Sequence, residues 1–158
     1  MTTHRLGFLA IATFAMLASQ QLATAQTTDG TDPPDPERIA KRCVDSINRL
    51  AKRCVSANVD TAHKCIRRIN ELLEHGEREA ARRLARRCLR VIEDRSDACV
   101  DEIHHRCRHC IRLLLRLQAP ELARRVHNAC EQAVEHVRHS QRRTSNAIRS
   151  QFDGLDVP

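Results

Sequence analysis

Six of the eight cysteines fall into two runs at a constant interval of eleven residues: Cys43, Cys54, Cys65 and then Cys88, Cys99, Cys110. Eleven residues is close to three full turns of an α-helix, so each run lies on one helical stripe with successive cysteines about 16 Å apart. Apolar residues fill the same stripes: Ile47, Leu50, Ile69 and Leu72 on the first, and Ile92, Ile103, Leu114 and Leu117 on the second. A period of eleven predicts nearly straight or slightly right-handed coiling in place of the left-handed heptad supercoil. The chain is therefore expected to be all-α.

Between Asp35 and Phe152 the helical composition is interrupted only at Gly76, at Pro120 and more weakly at Ala119. Gly76 suits the position after a helix and Pro120 the first position of one. Asp35-Pro36-Glu37 reads as an N-cap, an initial proline and an acid at the positive helix end. This divides the chain into helices over 36–75, 77–118 and 120–152, with Gly154 closing the last and 153–158 left as a tail.

An internal repeat supports the division. Starting at Arg38, Arg83 and Arg125 the chain reads R-I-A-K-R-C, R-L-A-R-R-C and R-V-H-N-A-C. The third copy keeps Cys130 but has Gln141 and Phe152 at the next two matching places, as a degenerate terminal repeat would.

In an antiparallel helical hairpin, facing residues have position numbers with a nearly constant sum. Cys43 with Cys110, Cys54 with Cys99 and Cys65 with Cys88 all add to 153, which centres the turn between Gly76 and Glu77. Cys107 with Cys130 adds to 237 and centres the second turn on Gln118 and Ala119. Of the 105 pairings that eight cysteines allow, this one uses every cysteine and places both turns where the punctuation does. The expected fold is three long antiparallel helices, a hairpin plus a third helix, stapled by four disulfides over residues 36–152. Over residues 43–110 the arrangement resembles the twin Cx9C helical hairpins, with ten residues between cysteines instead of nine. That resemblance implies the stapling of two helices and no particular activity.

The first 25 residues read as an export signal: His4 and Arg5 precede an apolar run from Leu6 to Leu17, and Ala23-Thr24-Ala25 forms an A-x-A cleavage site. The run is too short to span a bilayer, which takes about 20 apolar residues. Residues 26–35 then form an acidic, proline-rich leader. Export to an oxidising compartment agrees with cysteines present as disulfides.

The remaining question is chemistry. Cys107-x2-Cys110 with His127-x2-Cys130 has the ligand types and spacing of a structural zinc site, the alternative use of those thiols. His105 and His109, at i and i+4, are a second pair able to share a cation. Cys107-Arg108-His109-Cys110 is followed by Ile111, so the haem-attachment pattern C-x-x-C-H is absent. With no glycine-rich phosphate loop and no nucleophile–base pattern, the sequence points to no enzyme and no cofactor.

Charge is more informative: 27 Lys and Arg stand against 20 Asp and Glu. Arg82, Arg83, Arg86 and Arg87 cluster at the first turn and Arg124 and Arg125 at the second, with an acidic middle at Glu93, Asp94, Asp97, Asp101 and Glu102. Such ends would engage an anionic polymer or surface, and the pattern would also let copies associate in staggered fashion. Outside the signal Phe152 is the only aromatic residue, which argues against stacking of single-stranded nucleic acid. Ser56, Asn58, Asp60 and Thr61 interrupt the apolar stripe opposite Glu93 to Asp97, so the hairpin is expected to be weakest there, with Asp60 facing Glu93.

Overall fold

A computed structural model describes residues 35–152, and the expected signal, most of the leader and the tail at 153–158 lie outside them. The described chain forms α1 (Pro36–Glu74), α2 (Arg78–Arg116) and α3 (Pro120–Arg149), and each helix packs against both others.

The helix starts follow from local chemistry. The Asp35 carboxylate accepts a hydrogen bond from the Glu37 amide at 3.0 Å, satisfying one of the amides a helix start leaves open. Pro36 and Pro120 occupy the first turns of α1 and α3, where a missing N–H costs nothing.

Both helix ends use one device. At the first, the Glu77 amide donates to Leu72 O at 2.8 Å and the Gly76 amide to Leu73 O at 3.0 Å, the paired bonds of a Schellman cap. The second repeats it, with Ala119 donating to Leu114 O and Gln118 to Leu115 O, each at 3.0 Å. The residue after the cap must be left-handed, and it is Gly76 at φ 77° in one turn and Gln118 at φ 55° in the other. That requirement ends α2 at Arg116, two residues before the sequence-based boundary. α3 likewise stops at Arg149, and Phe152 lies beyond it in a turn.

Three disulfides join α1 to α2: Cys43–Cys110, Cys54–Cys99 and Cys65–Cys88. As the partners ascend α1 they descend α2, so the two helices run in opposite directions. Cys107–Cys130 joins α2 to α3. These are the pairs that the constant sums select. Across the four bonds the Cα atoms are 6.1 to 6.3 Å apart, within the span a disulfide bridges without moving the backbone. Buried alanines, among them Ala40, Ala51, Ala81 and Ala85, offer little side chain to hold the helices apart.

The core is in two parts. One cluster, around Ile47, Ile103, Leu114, Val126 and Val137, lies toward the second turn, and another, around Ile69, Ile92 and Ile148, lies toward the first. Between them in sequence on every helix are buried polar residues: Asn58 on α1, Ser96 on α2, and Ser140, Thr144 and Ser145 on α3. The weak segment expected from sequence lies in this layer, where three side-chain hydrogen bonds cross between α1 and α2. Asn58 Nδ2 donates to Ser96 Oγ at 2.9 Å, and Arg95 donates to Ala57 O at 3.0 Å and Thr61 Oγ1 at 2.6 Å. Asp60 and Glu93 are both solvent-exposed, where a like-charge contact carries little weight.

Candidate functional site

The cysteines decide the metal question first. Cys107, Cys110 and Cys130 are all in disulfides, so the alternative zinc set of Cys107, Cys110, His127 and Cys130 keeps only the exposed His127 as a ligand. A three-Cys, one-His zinc set needs free thiolates, and the helical register places each of these sulfurs against a partner cysteine instead. Among the described residues no three His, Cys, Asp or Glu side chains converge to hold a metal ion. His105 and His109 line a shallow groove between α1 and α2 with Arg42, Glu102 and Arg106, where the one carboxylate is already bonded to Arg106.

The arginine clusters differ from each other once their partners are seen. At the second turn Arg124 pairs with Glu121 at 2.9 Å and Arg125 reaches Glu37 on α1 at 3.0 Å, so each has its own carboxylate. At the first turn Arg82, Arg83 and Arg86 all approach the single carboxylate of Glu79, each at 3.8 Å. The segment from Arg78 to Arg90 contains six arginines and this one acid. It forms the opening of α2, and Arg83, Arg86, Arg87 and Arg90 are solvent-exposed.

No protein-family model, curated protein or solved structure matches the chain.

The acidic middle is partly neutralised. Arg138 on α3 pairs with Asp97, and Arg106 binds Glu102 at 2.6 Å while also donating to Ser46 Oγ on α1 at 3.1 Å. On α1 near the first turn, Arg68 and Glu71 pair at 2.7 Å. That bond, opposed by desolvation and aided by attraction to Arg68, Arg67 and His75, holds the Glu71 carboxyl below its ordinary range.

Sequence reasoning singled out His105 and His109 because they are one helical turn apart in the chain. A second groove, which the chain order does not suggest, brings together His63 on α1 with His136 and His139 on α3. No cysteine pair links those two helices, so the arithmetic that set the α1–α2 register was silent about this seam.

Proposed function

We propose that this chain is an exported binding protein that engages an anionic polymer or surface through the arginine-rich start of α2. The reading is supported by four disulfides, which suit an oxidising compartment, and by the signal-like N-terminus. No described helix is long and apolar enough to cross a membrane.

The observation that carries it is the excess of guanidinium groups over Glu79 along Arg78 to Arg90. A surface ion pair contributes little, about 0–1 kcal/mol, so Glu79 is readily displaced by a denser anion. Arginine also presents a planar fork matched to sulfate, phosphate and carboxylate oxygens. The Arg124–Arg125 end, with one acid per arginine, is the secondary contact.

The test is titration with heparin and with duplex DNA over a series of salt concentrations. Affinity is expected to fall log-linearly with salt, and substituting Arg82, Arg83, Arg86 and Arg87 with Gln is expected to weaken binding and flatten the slope by up to about four counterions. Helicity should survive, because Gln is a good helix former. Absence of binding at low salt, or binding indifferent to these substitutions, would remove the proposal.

A further inference from the structure

α1 and α3 are the one pair of helices that no disulfide joins. Along the part of this seam toward the C-terminus of α3 it opens into a groove of about 520 Å³. The titratable and charged side chains lining it are His63 from α1 and His136, His139 and Arg143 from α3, and neither Asp nor Glu is among its lining residues. All four are solvent-exposed. In a chain in which 30% of residues are charged and acids are common, this groove thus has only basic ionisable groups in its lining.

The wall of the groove supplies an independent observation. Ser140 lines it, is only 6% exposed, and its hydroxyl has no hydrogen-bond partner. A buried hydroxyl left unpaired costs free energy, and Ser140 belongs to the same wall as the three histidines and Arg143. The three histidines are not close enough together to hold a metal ion. A tetrahedral oxyanion asks for less: its oxygens accept from donors spread over a wider shell, including the arginine fork.

We infer that this groove binds a sulfate or phosphate group, free or carried on a polymer, and binds it more tightly as its histidines take up protons. Histidine is the side chain that ordinarily changes charge between about pH 5 and 8. Arg143 is the fixed cation of the groove, and protonated imidazoles beside it add to its charge. The site is separate from the arginine-rich start of α2 and does not depend on it.

Inorganic sulfate is the probe, because it remains a dianion throughout this range, so any pH dependence belongs to the protein. Imidazole NMR spectra of the full chain carrying R82Q, R83Q, R86Q and R87Q are recorded during sodium sulfate titration against sodium chloride of matched ionic strength. Saturable shifts are expected at His63, His136 and His139 and not at His105 or His109, with affinity at least about tenfold greater at pH 5.5 than at pH 8. Ser140→Ala should weaken sulfate binding at least about threefold without lowering stability, an outcome that a purely structural serine would not give. H139Q should weaken it as well while circular dichroism is unchanged. A sulfated disaccharide run in parallel separates the sources: saturation at much lower concentration assigns the group to a polymer, and equal affinity assigns the free ion. Shifts common to all histidines, equal affinity at both pH values, or no saturation with either probe would overturn the inference.

Discussion

Asn58 on α1 donates to Ser96 on α2 at 2.9 Å, both side chains fully buried, and Ser96 in turn donates to Ile92 O at 2.7 Å. Asn58 Oδ1 accepts nothing, so the amide is half satisfied. Ser96→Ala alone should then cost about 1–3 kcal/mol, because it leaves the amide donor buried and unpaired. The double variant N58L/S96A should recover most of that loss or exceed the parent, since removing both partners together leaves no orphan. Denaturant unfolding with disulfides intact reads both; additive losses would show that the pair does not act as a unit.

The two turns invite opposite substitutions. Nothing lies within 4 Å of a Cβ built on Gly76, so G76A meets only the conformational cost of a left-handed residue, about 1–2 kcal/mol. Gln118 already bears that cost at φ 55°, and Q118G should stabilise the chain by about 0.5–1 kcal/mol. Thermal unfolding of the two variants is the check, and the same sign for both would contradict it.

α3 is tied covalently at one point. Beyond Cys130 it has no disulfide, and its buried residues over the last turns are Ser140, Thr144 and Ser145 with Ile148 as the apolar anchor. Amide exchange is expected to be fastest in 141–149 among the helix interiors, because few buried apolar contacts oppose local opening. Slower exchange there than in 55–64 of α1 would reverse the ranking.

Removing Cys107–Cys130 by paired serine substitution should destabilise the chain by about 3 kcal/mol, the loop-closure contribution of a short loop. Removing Cys43–Cys110 should cost less than its sequence separation of 67 suggests, because Cys54–Cys99 still shortens the loop it closes. Denaturant midpoints of the two variants decide: comparable losses support the nested-loop account, and a clearly larger loss for Cys43–Cys110 would count against it.

Glu71 supplies a pH dependence of definite sign. Its carboxyl is held low chiefly by the Arg68 hydrogen bond, so the stabilisation it gives is complete above the ordinary carboxylate range and is lost as pH falls through the lowered value. R68Q should move the Glu71 titration upward toward that ordinary range, read from its side-chain carboxyl NMR shift. An unchanged titration would assign the lowering to other neighbours.

Much of this architecture is written in the chain, for a specific reason. Cysteines at a common interval turn register into arithmetic, so Cys43, Cys54 and Cys65 locate their partners and the turn at Gly76 together. Gln118 gave no such signal, because nothing in a glutamine announces a left-handed residue, and the sequence-based end of α2 overran by two positions. Asn58 and Ser96 read as lost apolar area, since single residues do not reveal that two polar groups will meet. The arginines were visible as a cluster but their partners were not: Glu37 and Arg125 are 88 positions apart. The His63, His136 and His139 groove lies on the seam without cysteines, where the chain carries no ruler.

An equal interval has a hazard of its own. Sliding α2 past α1 by one interval would bring Cys54 to Cys88 and Cys43 to Cys99, with the helical faces unchanged. Two sulfurs would still find two others, and an oxidising medium could trap the isomer. The polar layer penalises that slip, because Asn58 would then meet Ala85 and Ser96 would meet Ile47, both buried and apolar. Each orphaned group would cost about 1–3 kcal/mol, so a hydrogen bond between two small side chains acts as the key that tells the correct disulfide isomer from its nearest counterfeit.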